Sequence, residues 1–288
     1  MVSREIINAY IELTKPRILS LVLVTTAIGF FMGQGEFSHL SILFWTILGA
    51  GLVCAGASAL NQYLERDADS KMERTKLRPL PMGTIRPSSA MLFGVYLILI
   101  GVILLCLKVN LLSAFLALLT AFLYILVYTP LKRLTWLNTT IGAIPGAIPP
   151  MGGWAAATGQ LDFGAWVLFF IMFTWQHPHF YAIAWMLKED YKKAGFKMLP
   201  VVYPDGKSTF LQIFVFTILL FFASLVPAFI GMSGKIYLAG AVVCGIFLFM
   251  ASMALIKTKT MLDARQLLKA TVFYLPILLF LIVIDCLI

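Results

Sequence analysis

The sequence predicts an all-α polytopic membrane protein of nine transmembrane helices, N-terminus cytoplasmic, C-terminus outside. Three observations predict it. Apolar runs of about twenty residues, the length a helix needs to cross hydrocarbon, recur along the whole chain. The composition is 61% hydrophobic and 12% charged, with a mean hydropathy of +0.94, which excludes a water-soluble globular domain. With the N-terminus inside, all of the 22 Lys and Arg except Lys108 and Lys235 fall in inside segments. A wrong segment count would scramble that alternation.

The opening residues carry Arg4, Glu5, Glu12, Lys15 and Arg17. They lack the apolar core and cleavage site of a signal peptide and do not read as a transit peptide. The first span, 18–32, is short and draws on its flanks. The second, 40–60, runs directly into a polar stretch, so that stretch begins at a membrane surface. Spans three and four, 88–107 and 111–128, enclose Lys108 on the outside and end inside at Lys132 and Arg133. Span five, 139–157, opens beside Asn138 and carries Gly142, Pro145, Gly146, Pro149, Pro150, Gly152 and Gly153. Such residues make either a kinked packing helix or a cavity wall. Span six, 163–187, carries Trp175, Gln176, His177, Pro178, His179 and Tyr181. Polar groups at membrane depth are costly and mark a functional interior, or else an interfacial belt. Spans seven to nine, 209–230, 236–256 and 270–288, hold one charge well inside, Asp285, near the outer end. Cys54, Cys106, Cys244 and Cys286 all lie in apolar runs without metal-ligand spacing and read as packing residues.

Two inner loops are long and polar, 61–87 and 188–207, four spans apart and therefore on one side. That spacing hints at two four-helix halves plus a ninth helix, each half donating a loop to one cavity. In the first loop, NQYLERDADSKMERTKLRPLPMGTIR, the residues Asn61, Glu65 and Asp69 stand four apart. On a helix they drift by only about 40° per step and share a face. Three oxygen-bearing groups followed by Arg74, Lys76 and Arg78 make a site for a hard cation together with an anion. Mg²⁺ with a diphosphate is the natural candidate, because Mg²⁺ takes few carboxylates and fills its shell with phosphate and water. A solvated, charge-balanced connector is the alternative. The second loop offers Lys188, Glu189, Asp190, Lys192 and Lys193; one carboxylate could complete a second metal position and the lysines hold phosphate oxygens.

NxxxExxxD followed by RTxxRPLP, at Asn61, Glu65, Asp69, Arg74, Thr75, Arg78 and Pro79, resembles the first motif of the UbiA-type intramembrane prenyltransferases. TKPR at 14–17 and YTPLKR at 128–133 resemble that family's other fixed points, and the nine-span pattern agrees. The chain departs from the family's usual NDxxDxxxD at Gln62 and Glu65, and only Asp190 clearly survives from its second DxxxD motif. The segment HPHFYAIAWMLKEDYKKAGFKMLP resembles the branch whose acceptor is haem. The resemblance covers nearly the whole chain and implies one prenyltransferase domain over 1–288 in a bacterial plasma membrane. It implies farnesyl transfer from farnesyl diphosphate to a vinyl group of haem B, with addition of water. Asn61, Glu65, Asp69 and Asp190 are then the Mg²⁺ ligands, and Arg74, Arg78, Lys132 and Lys192 hold the diphosphate. Lys188 adds positive charge in catalysis. His177 and His179 bind haem iron, pair with a propionate or handle a proton. A haem A synthase is the expected downstream partner.

Three rivals stay open. An aromatic acceptor would be expected to keep the second DxxxD. A secondary transporter would place charge at mid-membrane on broken helices. A haem-assembly protein would bind without turnover. Nucleic acid is not expected despite the net charge of +9, because the charge sits in loops beside the membrane.

Overall fold

The computed structural model describes residues 2–34 and 39–287, with side chains over 4–34 and 39–285; the side chain of Cys286 and residue 288 lie outside that range. The described residues are helical with irregular connections and form no strand.

α1 (Val2–Leu13) is a short helix before the first apolar one. It lies against the end of the bundle that carries the first polar loop, where Ala9 and Leu13 pack with Ala59, Leu80, Ile85 and Ala90. α2 (Pro16–Gln34) starts on a proline, whose missing N–H costs nothing at a first turn. α3 (Leu40–Asp69) is 30 residues long, about 45 Å by rise per residue, and so outruns a hydrocarbon core of about 30 Å. Its last turns carry Asn61, Glu65 and Asp69 beyond the apolar run without a break. α4 (Pro87–Lys108) follows the polar turns. α5 (Leu111–Phe122) passes through a π-helical turn, Leu123–Tyr128, into α6 (Thr129–Leu134). α7 (Asn138–Thr158) and α8 (Phe163–Met186) come next, then the short α9 (Lys188–Lys193) and α10 (Leu199–Val202). α11 (Lys207–Phe229), α12 (Lys235–Thr258) and α13 (Met261–Leu287) complete the chain. α13 begins nine residues before the expected ninth run, because Met261–Lys269 is a helical extension with polar positions.

Seven helical segments among the described residues are long and apolar enough to cross a membrane: α2, α3, α4, α5 with its continuation to Leu134, α11, α12 and α13. α7 and α8, at 21 and 24 residues, have the length, but Gly, Pro, Gln and His dilute their apolar content.

Packing groups the helices differently from four, four and one. α2, α3, α4, α5 and α7 close one ring in that order, and α8, α11, α12 and α13 close another. α7 against α8 is the main seam between them. Within the first ring, Gly153 of α7 and Gly29 of α2 serve the packing of those two helices. A Cβ on Gly153 would lie 1.9 Å from the Thr26 carbonyl oxygen, and one on Gly29 would lie 2.0 Å from that of Pro150. α2 and α7 therefore touch backbone to backbone, as small residues permit in membranes. Asp285 accepts from Tyr237 N at 3.0 Å and Ser233 Oγ at 3.2 Å, so it caps the start of α12. That role is structural and gives no support to a transport pathway.

Candidate active site

α3 remains helical through Asp69, so Asn61, Glu65 and Asp69 stack one turn apart on one face, with exposures of 1%, 5% and 1%. Each presents an oxygen to a different cation. Asn61 Oδ1 accepts from Lys15 Nζ at 2.7 Å. Glu65 Oε1 lies 2.8 Å from Lys132 Nζ, at ion-pair distance but without hydrogen-bond alignment. Asp69 Oδ2 accepts from Arg78 Nη1 at 2.8 Å. Two carboxylates thus face three basic side chains in a largely buried site.

Local structure holds each partner. Asn61 Nδ2 donates to Thr129 Oγ1 at 2.9 Å, and Thr129 Oγ1 donates to the Tyr124 carbonyl at 2.8 Å. The amide is thereby oriented with its oxygen toward Lys15. The π-helical turn before Thr129 inserts an extra residue per turn, a distortion often found at functional sites. It brings Tyr124 OH to 3.5 Å from Lys15 Nζ and the Tyr128 ring centre to 4.6 Å from Lys132 Nζ. Thr75 Oγ1 donates to the Asp69 carbonyl at 2.9 Å, which folds the RTxxRPLP turns back onto α3 and delivers Arg78. Gln62, where the family pattern has Asp, uses Nε2 to hold the carbonyls of Glu12 and Leu13 at 3.2 and 3.1 Å. That anchors the α1–α2 elbow.

At the elbow Lys15 has φ +51°, a left-handed conformation that costs an L side chain roughly 1–2 kcal/mol. The strained backbone places the ammonium at Asn61. Burial, then Arg78 and Lys132 nearby, lowers its pKa to about 7, with Glu65 and Asp69 opposing. Sequence reasoning missed Lys15 and Thr129 as site residues. The available signal was the TKPR and YTPLKR fixed points, which flagged the segments without a role.

The second long polar loop packs on the first: Ala68 and Met72 meet Ala184, Ala194, Phe196 and Met198. Lys197 N donates to the Lys132 carbonyl at 2.7 Å, and Asn138 Nδ2 donates to the Lys197 carbonyl at 2.9 Å. The loop's own charges stay outside the cluster. Asp190 is half-buried and its carboxylate makes no ion pair among the described residues. Lys188 Nζ stands 5.0 Å from the Trp185 ring centre, Arg74 lies 5.7 Å from that of Tyr191, and Lys192 is exposed. Among the described residues no three Asp, Glu, His or Cys side chains converge. A metal here would therefore draw on Glu65, Asp69 and the Asn61 amide. Those hard oxygens at one-turn spacing fit Mg²⁺, which needs only one or two carboxylates when phosphate completes the shell.

The two histidines part company. His177 is fully buried, stacked on Phe216 with ring centres 3.4 Å apart. Its Nδ1 donates to the Phe173 carbonyl at 2.8 Å and its Nε2 is 3.3 Å from Thr140 Oγ1. His179, two residues on and about 200° around the helix, stacks on Trp175 and bonds Thr271 Oγ1 at 2.9 Å. Pro178 does not bring the rings onto one face.

Residues 22–278 match the model of the UbiA prenyltransferase family. A protoheme IX farnesyltransferase from Solibacter usitatus is 49% identical over 285 residues, covering 96% of this chain and 98% of that protein. Among solved structures, a digeranylgeranylglyceryl phosphate synthase superposes with TM-score 0.83 at 20% identity, covering 98% of this chain and 99% of the other. A UbiA homolog from Archaeoglobus fulgidus bound to GPP and Mg²⁺ superposes with TM-score 0.67 at 16% identity, over 95% and 99% of the two chains. The likeness to both structures is one of fold.

Proposed function

The chain belongs to the UbiA prenyltransferase family and is a prenyl-transferring enzyme of membranes, and from that premise we propose that it farnesylates haem B. The C1–O bond of farnesyl diphosphate breaks with its electron pair going to diphosphate. C1 of the farnesyl group bonds to the terminal carbon of a haem vinyl group. The ring-attached carbon then takes hydroxyl from water and a proton is released, giving haem O. The reading is supported by near-full-length similarity to a protoheme IX farnesyltransferase and carried by one geometric observation: an acidic helix face already lined with three cations.

We assign the donor end to that face. Bound Mg²⁺ would supply charge neutralisation of the departing diphosphate, held by Asn61, Glu65 and Asp69, with Asp190 on the facing loop as a further carboxylate. Lys15, Lys132 and Arg78 change partner when diphosphate arrives, from protein oxygens to phosphate oxygens; until then Lys132 and Arg78 stay paired with carboxylates and Lys15 with the Asn61 amide. Arg74, Lys188 and Lys192 stand at the loop surface and steer the anion inward. The apolar bundle keeps the allylic cation from bulk water.

The chain is one transmembrane domain over 1–288 with nine spans, α7 and α8 crossing with the seven more apolar ones. The N-terminus and the site face the cytoplasm of a bacterial plasma membrane. A haem A synthase consumes the product. The test is expression in cells lacking haem O, with extracted pigment analysed by mass. Haem O supports the proposal; unchanged haem B with a prenylated aromatic product refutes it.

A further inference from the structure

We propose that the acceptor docks in the groove between α8 and α13, with His179 Nε2 toward the metal of a metalloporphyrin and Arg265 at its carboxylate edge. The inference rests on the haem reading above and deepens it: it chooses between the histidines and adds Thr271, Trp175 and Arg265.

The choice follows from hydrogen bonds. His177 has both ring nitrogens near protein oxygens, a ring stacked on Phe216 and no exposed surface. It holds α8 against its neighbours. His179 is half-buried and uses one nitrogen. Thr271 Oγ1 donates its own proton to the Leu268 carbonyl at 2.7 Å. It can therefore only accept from His179, so Nδ1 of His179 carries the proton and Nε2 carries a lone pair. Nε2 has no hydrogen-bond partner among the described residues. A ring N–H anchored to protein with the other nitrogen free is the arrangement of a histidine metal ligand. Trp175 stiffens it twice, stacking on the imidazole with centres 4.8 Å apart and donating from Nε1 to the Thr271 carbonyl at 2.8 Å.

The same seam opens one helical turn further toward the inner side. Ile183, Met186, Leu187, Met261, Arg265 and Leu268 line a cavity of about 480 Å³, within the size range of small-molecule sites. Ile183 is one turn on from His179, and Leu268 is the residue that takes the Thr271 proton. The walls are apolar apart from Arg265, whose guanidinium has no carboxylate partner among the described residues. The acid closest in sequence, Asp263, is engaged by the hydroxyls of Thr258 and Thr260. Arg265 and Thr271 are separated by about 9 Å of helix. An amphiphile with an apolar body, a metal at its centre and carboxylates at one edge matches this order of ligand, walls and cation. Arg is also the side chain best shaped for a carboxylate.

The test is equilibrium titration of the purified full chain in detergent with haem B, metal-free protoporphyrin IX and haem dimethyl ester. The proposal expects His179→Ala to weaken haem by about tenfold or more and to shift the haem absorption band, leaving metal-free porphyrin affinity unchanged. Arg265→Gln should weaken haem and metal-free porphyrin alike and abolish the preference for the free acid over the dimethyl ester. Thr271→Val should shift the band with roughly tenfold weaker haem binding, and Thr271→Ser should restore both. The proposal is overturned if His179→Ala binds haem with unchanged affinity and spectrum. It is equally overturned if Arg265→Gln lowers capture by phosphatidylglycerol vesicles but leaves haem binding intact, which would make the groove a lipid site. Either result, with the unmutated chain still farnesylating haem, removes the groove and keeps the reaction. An unmutated chain that neither binds nor modifies haem removes the reaction.

Discussion

Lys132 and Glu65 offer a perturbation whose two effects separate. Nζ and Oε1 are 2.8 Å apart, and the side chains are 14% and 7% exposed. At an effective dielectric of about 20 the attraction at that distance is ~6 kcal/mol, set against several kcal/mol of desolvation for each ion. Lys132→Met removes the cation and leaves Glu65 buried without it. Breaking a buried pair from one side costs about 3–5 kcal/mol, which lowers the unfolding midpoint on the order of 10 °C for a chain of this size. The double variant Lys132→Met/Glu65→Gln removes both charges and should recover most of that loss. Farnesyl transfer should stay low in both, because the diphosphate has lost a cation and the metal a carboxylate. The assay is thermal unfolding of the detergent-purified variants followed by near-UV circular dichroism, alongside turnover. Recovery of turnover together with stability in the double variant would refute the reasoning, since the pair would then be structural only.

Asn61→Ala and Asp69→Ala should abolish turnover with the fold retained, and a chelator should do the same reversibly, with Mg²⁺ restoring it; full activity in chelator would make the loop a connector. Glu65→Asp should keep partial activity, since its reach is shortened by one methylene; measured turnover equal to Glu65→Ala would contradict this. Lys15 supplies a pH dependence. Its folded pKa, near 7, lies below the unfolded value, so between about pH 7 and 10 the unfolded chain binds more protons and stability rises with pH through this group. Diphosphate favours the charged form, so binding should take up a proton and weaken above about pH 7, by at most roughly tenfold per unit. Lys15→Arg should flatten that profile in calorimetry; an unchanged profile would exclude Lys15 as the titrating group. In a background without native cysteines, Ser70→Cys and Ser208→Cys should label only from the cytoplasmic side and Gln160→Cys only from outside; outside labelling of Ser70→Cys would overturn the site's orientation.

What the sequence disclosed divides along physical lines. Helical register is local, so Asn61, Glu65 and Asp69 could be placed on one face from spacing alone. Their cations were harder to find. Arg78 follows Asp69 closely, but Lys15 is 46 residues from Asn61 and reaches it through a left-handed elbow that no periodicity signals. Thr129 joins the site through a π-helical turn, another departure from the regular repeat. Asp190 was expected beside the other metal ligands; among the described residues it makes no ion pair and forms no three-carboxylate cluster with Glu65 and Asp69, so its place in the site rests on the family pattern of the second loop. Residues two apart on a helix point about 200° apart, and His177 and His179 follow that regular repeat despite Pro178. The fold was legible in its long apolar runs; α7 and α8 were read from length and position, since their Gly, Pro and polar residues serve packing and function.

The most direct measurement incubates the purified chain with haem B, farnesyl diphosphate and Mg²⁺ in detergent or nanodiscs and determines the mass of the pigment. The account predicts haem B plus one farnesyl group and one water, with one diphosphate released per haem converted, and loss of both products in Asp69→Ala. Haem B recovered unchanged while an aromatic acceptor in the same mixture becomes prenylated would contradict it.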